Sequence, residues 1–205
     1  YTLLIDYAHN ALSMENVLTT LRQYEPHRLI TMFGAGGNRP KVRRYEMGET
    51  SGRLSDLSVI TEDNSRFEDV MDIIEDIKTG IHKTDGKYVV VPNRKDAIRY
   101  CMENAQDGDI VVLAGKGQET YQILASGKIH FDEREVVAKI LSEKAKEDYL
   151  IWHYTEVEYG KWKRCTRCGE VKLAHNRFFS KNNTSKDGFY SICKSCRNSK
   201  NKEKK

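Results

Sequence analysis

The sequence has 205 residues, 39% of them hydrophobic, with 34 lysines and arginines against 30 aspartates and glutamates and a formal charge of +4. This composition excludes a wholly disordered polymer, and no apolar run approaches the roughly 20 residues needed to cross a bilayer. The charge is divided unevenly: residues 1–159 hold 20 basic and 27 acidic side chains, net −7, whereas residues 160–205 hold 14 and 3, net +11.

Over the first 144 residues, short apolar runs alternate with amphipathic stretches. This predicts an α/β fold, a Rossmann-like sheet with flanking helices. Strands are expected at residues 2–5, 28–33, 57–61, 87–91 and 109–114, and helices at 13–24, 42–53, 67–79, 95–104 and 133–146. Because Tyr1 to Ile5 already reads as a buried strand, the numbering is expected to begin inside a larger domain. Polar or glycine-rich loops follow four strands, at 6–10, 34–39, 62–66 and 115–119. In an open α/β sheet, ligands bind beyond the carboxyl ends of the strands, so these loops are expected to converge on one site.

Each loop is ambiguous taken alone. Gly34, Gly36 and Gly37 would let backbone N–H groups approach an anion, but the cluster fits a tight turn equally well, and it lacks the Gly-Lys-Ser/Thr ending of a phosphate loop. Arg66, in Asp63-Asn64-Ser65-Arg66, suits a carboxylate through two parallel hydrogen bonds, and a solvated turn is the alternative. Glu119, after Gly115-Lys116-Gly117-Gln118, would accept from an amino group. Asp6 and His9 fit nucleotide binding or acid/base work, or else a helix cap and a surface side chain.

Cys101 stands alone in the acidic part. Cys165-x-x-Cys168 and Cys193-x-x-Cys196 are separated by 24 residues, a spacing that turns four sulfurs toward one tetrahedral Zn2+. Reduced or oxidised dithiols are the alternative, and His175 is a fifth candidate ligand. A piece this small needs such a staple, with Phe178, Phe179, Phe189 and Tyr190 as its core. The expected organisation is an α/β domain over 1–144, an aromatic connector over 145–160, a zinc domain over 161–197 and a disordered basic tail over 198–205. The absence of a signal-like start or membrane span predicts a cytoplasmic location without membrane insertion. The +11 charge suits nucleic-acid phosphates, or alternatively a solvated basic face on a protein-interaction module.

The motifs occur in a particular order: Asp6-Tyr7-Ala8-His9, Phe33-Gly34-Ala35-Gly36-Gly37-Asn38-Arg39, Met47-Gly48-Glu49, Asp63-Asn64-Ser65-Arg66, Ala114-Gly115-Lys116-Gly117-Gln118-Glu119 and His130-Phe131-Asp132-Glu133-Arg134-Glu135. In this they resemble the C-terminal domain of the Mur ligases, MurE type, over about residues 1–141. The resemblance implies an ATP- and Mg2+-dependent ligase that joins an amino acid to a UDP-muramyl-peptide in peptidoglycan synthesis. It also implies that Arg39, Asn64, Arg66, Gly115 and Glu119 bind meso-diaminopimelate and that Asp6, with His9, contacts the nucleotide. Ser65 stands where the family commonly has Pro, Asn38 and Pro40 where it has Asp, and Gln118 where it has His. No segment matches the family's ATPase or UDP-binding domains, so the resemblance implies that ligation needs them from elsewhere. The cysteine region resembles small zinc modules common in phage proteins and beside HNH nucleases, which implies a phage or mobile-element fusion with a nucleic-acid-binding alternative function.

Overall fold

Five apolar runs pair into one parallel sheet: β1 (Thr2–Asp6), β2 (Leu29–Phe33), β3 (Leu57–Ile60), β4 (Tyr88–Val90) and β5 (Ile110–Ala114), in the order β1-β5-β2-β3-β4. The computed structural model describes residues 1–154, 162–186 and 188–197, which fall into two units, 1–144 and 145–205. Every position of β2 is buried, as a strand covered on both faces requires.

The pleat divides that burial between two layers. Leu29, Phe33, Ile60, Val112 and Ala114 meet Met14 and Leu18 of α1 (Ala11–Arg22), Met47 of α2 (Val42–Leu54) and four isoleucines of α3 (Val70–Ile81). Their neighbours Ile30, Met32, Val59, Val111 and Leu113 point the opposite way, onto Ala97, Ile98, Cys101 and Met102 of α4 (Arg94–Asn104) and Ile140 of α5 (Glu133–Tyr154). Period-2 alternation in the strands therefore builds two cores, one on each side of the sheet.

Local chemistry sets the helix starts. Asn10 caps α1 in a reciprocal pair with Ser13, Asp69 accepts the Met71 N–H at 2.7 Å, and Asn93 accepts that of Asp96 at 3.1 Å. The Asp69 cap moves the start of α3 from the expected residue 67 to Val70, and Phe67 lies outside the helix. Helix α5 also runs on to Tyr154, so the expected connector is helical over its first half. The run from Glu143 to Asp148 contains no Gly or Pro to stop it. Tyr159 and residues 198–205, expected in the connector and tail, lie outside the described residues. Among the described residues, no helix is long and apolar enough to cross a membrane.

Helices α2 and α3 touch backbone to backbone. A Cβ on Gly80 would lie 1.9 Å from the Tyr45 carbonyl oxygen, and one on Gly48 2.1 Å from that of Ile77. This close approach explains glycines inside two helices despite a propensity cost of about 1 kcal/mol each.

No strand is expected from the sequence between β5 and α5, but the structure has a hairpin there, β6 (Tyr121–Leu124) and β7 (Gly127–His130). It docks on the loop after β3: the Arg66 N–H donates to the Ile123 carbonyl at 3.0 Å and the Ile123 N–H to Asn64 Oδ1 at 2.9 Å. The His130–Glu135 motif builds the junction between hairpin and helix, with His130 Nε2 2.8 Å from Glu135 and Arg134 Nη2 2.6 Å from Asp132.

At the opposite edge of the sheet, Asp109 is 1% exposed and accepts from Arg28 Nη2 at 2.5 Å, the Gln106 N–H at 2.8 Å and His27 Nδ1 at 2.9 Å. Burial alone would raise its carboxyl, but these donors outweigh burial and hold it well below the usual range. A depressed folded-state pKa gives stability that is present above the unfolded value of about 3.9 and lost as pH falls through the folded value. Asp109→Asn is therefore expected to lower stability at neutral pH and to flatten its decline below about pH 4, as read by urea titrations across that range.

In the second unit, β8 (Trp162–Arg164) pairs antiparallel with β9 (Val171–Leu173), and β10 (Phe179–Lys181) with β11 (Phe189–Cys193). Cys165, Phe179 and Cys193 are fully buried, with Phe178, Phe189, Ile192 and Cys196 packed against them. Tyr190, expected in this core, is instead 41% exposed, and its strand neighbours Phe189 and Ile192 are the residues of β11 that pack beside Cys193.

Candidate functional site

All five strands of the parallel sheet end on one edge, so the loops after β1, β2, β3 and β5 meet there around a cavity of about 520 Å3. Of the residues singled out in the sequence, His9, Arg39, Asn64, Arg66, Gly115 and Glu119 line it. Asp6 does not. Its Oδ1 accepts the Ala8 N–H at 2.7 Å and its carbonyl accepts the Gly115 N–H at 3.0 Å, so here it shapes the turn into α1. His9 reaches the wall with its Nδ1 on the Tyr7 carbonyl at 2.9 Å.

The glycine loop and the Asp63–Arg66 loop are latched to one another. Gly37 N–H donates to the Asn64 carbonyl at 2.9 Å, Arg66 Nη1 donates to the Gly37 carbonyl at 2.7 Å, and the Asn38 N–H donates to Glu68. The N–H groups of Gly37 and Asn38 are thus committed to protein acceptors, and at these two positions the loop fixes its neighbour instead of cradling an anion. A Cβ on Gly37 would lie 1.9 Å from the Ser65 carbonyl oxygen, so this latch needs glycine. Asn38 and Arg66 both adopt left-handed backbone conformations, at φ 52° and 54°. Such geometry costs of order 1–3 kcal/mol per residue and persists where surrounding contacts impose it.

Three buried cations outside the expected site residues hold this edge together. Arg44, 1% exposed, bridges Glu68 at 2.8 Å and Asp76 at 2.9 Å and reaches the Gly36 carbonyl. Arg94 pairs with Glu133 at 2.9 Å and donates to the carbonyls of Glu62 and Ala114. Burial raises the Glu133 carboxyl, against the opposing pull of Arg94. Lys116 sits behind the cavity wall with its Nζ 3.2 Å from Asp63 Oδ1, 3.2 Å from Asn64 Oδ1, 3.4 Å from Glu119 Oε2 and 2.9 Å from the Tyr121 carbonyl. Full burial of a lysine or arginine is uncommon unless it is paired, but burial was not legible from residue type. Lys116 lies inside the Gly115–Glu119 motif and Arg44 just after Arg39, Lys41 and Arg43, so residue type marks out neither.

The cavity is therefore polar and asymmetric. Arg39, Arg43, Arg44 and Arg66 supply guanidinium groups, while Asp63 and Glu119 supply carboxylates. The negative charge of Glu119 raises the phenol of Tyr121 in the same wall. Such a surface suits a small zwitterion bearing more than one carboxylate.

In the second unit, the sulfurs of Cys165, Cys168, Cys193 and Cys196 all lie within 4.8 Å of one another. Four thiolates at about 2.3 Å from one Zn2+ stand roughly 3.8 Å apart, so the cluster fits the ion's tetrahedral shell. The donor chemistry agrees. The Cys193 and Arg167 N–H groups reach the Cys165 sulfur at 3.3 and 3.4 Å. Burial would raise the Cys165 thiol, yet the N–H groups of Cys168, Cys193 and Arg167 draw it down to about 6. Cys196 is pushed up to about 12, first by the neighbouring Cys168 sulfur, because crowded thiols cannot all ionise without a cation between them. His175 is outside the cluster: its Nδ1 accepts the Arg177 N–H at 3.2 Å within its own turn.

Residues 1–117 match the family model described as Mur ligase, glutamate ligase domain. A UDP-N-acetylmuramoyl-L-alanyl-D-glutamate--2,6-diaminopimelate ligase of Caldanaerobacter subterraneus subsp. tengcongensis is 49% identical over 142 residues, covering 69% of this chain and 30% of the relative. The enzyme of the same name from Clostridium perfringens is 49% identical over 144 residues, 70% of this chain and 29% of the relative. A solved structure of a ligase of that name superposes with a TM-score of 0.66 at 34% identity, over 70% of this chain and 29% of that one. The chain thus spans less than a third of the length of these relatives, and the matched part is the α/β unit that carries the cavity. By that match this chain belongs to the Mur ligase family.

Proposed function

We propose that residues 1–144 form the amino-acid-binding part of an acid–amino-acid ligase that adds meso-diaminopimelate to UDP-N-acetylmuramoyl-L-alanyl-D-glutamate in peptidoglycan synthesis, in the cytoplasm. The supporting observation is the cavity that sets Arg39 and Arg66 against Asn64 and Glu119. Guanidinium groups would take the carboxylates of the amino acid and Glu119 one ammonium, leaving the second amine to attack. ATP with Mg2+, on which Mur ligases depend, would activate the terminal carboxylate of the muramyl-peptide by phosphorylation, releasing ADP, and the attacking amine would displace phosphate. The residues placed here bind and orient the amino acid that carries this amine. Gly115, in the same wall, gives backbone access to the ligand, and Asp6, with His9 beside it, is the candidate for nucleotide contact. Calorimetric titration of the chain with meso-diaminopimelate tests this reading. Binding at about 1 mM or tighter is expected, and no heat at 10-fold higher ligand would count against it.

The four-cysteine cluster is read as a structural Zn2+ site. A second reading concerns this unit alone, in which Arg197 lies over the exposed Tyr190 ring at 4.4 Å and Arg167 Nη1 donates to the Cys196 carbonyl at 2.7 Å. An aromatic face beside guanidinium groups is the element on which unpaired bases stack. Single-stranded oligonucleotides are expected to bind with an affinity that falls steeply with salt and drops several-fold in Tyr190→Ala. Fluorescence anisotropy unaffected by either change would remove this reading.

A further inference from the structure

Lys116 does not face the cavity, yet it touches three of the side chains that do, Asp63, Asn64 and Glu119. Its Nζ lies 3.2 Å from Asn64 Oδ1 and 3.4 Å from Glu119 Oε2, and the residue is fully buried. Asn64 Oδ1 also accepts the Ile123 N–H at 2.9 Å. Two donors on one oxygen fix the amide orientation, since the flipped amide would set its NH2 against an N–H and an ammonium. The Nδ2 group is accordingly turned to the Glu119 side, 3.4 Å from Oε2. Asn64 therefore offers a ligand donors only, which suits a carboxylate, while Glu119 offers an acceptor, which suits an ammonium.

The charges follow the same division. Asp63 and Glu119 flank Lys116, at 3.2 and 3.4 Å. One cation between two carboxylates leaves a single negative charge at this wall, enough for one ammonium group. Without the lysine, two carboxylates would share the wall, and the amide of Asn64 would be free to turn its oxygen to the ligand.

We infer that Lys116 is a positioning residue that sets the polarity of the pocket, so that it accepts an amino-acid end carrying both a carboxylate and an ammonium and rejects a bare ammonium end. The inference rests on the amino-acid-pocket reading above. It adds to it the group that enforces discrimination from behind the wall, which no contact between Lys116 and ligand is needed to explain.

The test compares meso-diaminopimelate with L-lysine, which has the ammonium but not the second carboxylate, on the full chain and on Lys116→Met. The unaltered chain is expected to prefer meso-diaminopimelate by about 100-fold, because a site built to hydrogen-bond a group penalises its absence. In Lys116→Met the preference should narrow by about 10-fold or more, meso-diaminopimelate weakening while L-lysine holds or improves. A purely structural role would weaken both ligands alike, and that result, or an unchanged ratio, overturns the inference. Should circular dichroism show Lys116→Met unfolded, Lys116→Gln keeps an N–H donor without the charge and is judged by the same ratio. Independently of any variant, the Asn64 side-chain NH2 resonances should shift with meso-diaminopimelate and not with L-lysine; equal shifts with both overturn the inference. If the unaltered chain binds neither amino acid, the pocket reading itself fails, and this inference with it.

Discussion

Removing the metal from residues 162–197 is expected to unfold them while leaving residues 1–144 folded. The buried centre of this unit consists of two cysteines and one phenylalanine, with three more apolar side chains and Cys196 only partly covered. A core of that size is too small to hold the unit folded by itself. Zinc binding to four thiolates, of order 10–16 kcal/mol, acts directly as folding free energy for such a unit. Native mass spectrometry should find one zinc per chain, and a chelator or Cys165→Ser should abolish dispersion of the Phe178, Phe179 and Phe189 resonances. Cys165 is chosen because it is fully buried and accepts two backbone N–H groups at its sulfur. Serine would keep the size, but its hydroxyl is a poor ligand for Zn2+ beside thiolates. A unit that stays folded with no metal would defeat the structural-zinc reading.

The second large effect is expected at Arg66. Its Nη1 holds the Gly37 carbonyl at 2.7 Å while its side chain lines the cavity, and its backbone sits at φ 54°. Arg66→Ala should weaken meso-diaminopimelate binding by about 100-fold or more, consistent with loss of a charge-assisted carboxylate contact and of the latch that shapes the loop. Arg66→Gly separates the two contributions to stability. Glycine relieves the left-handed backbone cost, offsetting the lost hydrogen bond, so its melting temperature should stay within about 5 °C of the parent while binding is lost as in Arg66→Ala. Arg66→Lys should not restore affinity, because an ammonium cannot reproduce a planar fork that holds Gly37 and a ligand together. Retained affinity in Arg66→Ala would mean that the pocket reads its ligand through other groups.

Much of this arrangement could be read from the sequence because it depends on near neighbours. Near-continuous apolar runs in 28–33 and 109–114 announce strands buried on both faces, and paired CxxC motifs announce a four-sulfur site, since their geometry is local to each knuckle. The β6–β7 hairpin is not legible in the sequence because β6 is only partly buried, β7 is exposed at every position, and the turn, at Ala125-Ser126, lacks the strong Asn-Gly or Asp-Gly signal. The length of α5 is hidden for the opposite reason: its sequence contains no stop, so the helix runs on past residue 145 to Tyr154.

The site shows the same division. Residue types in order along the chain determined which loops belong together and which side chains line them, because a parallel sheet necessarily brings the carboxyl ends of its strands to one edge. The tertiary structure alone decided how those side chains are used. Asp6 turns into its own loop, Gly37 and Asn38 spend their N–H groups on neighbouring acceptors, and Lys116 and Arg44 become buried struts. Each of these roles depends on a partner 2 to more than 50 residues away in the chain. A sequence motif names the side chains, whereas desolvation and pairing, which fix their orientation and charge, arise only when distant loops close upon one another.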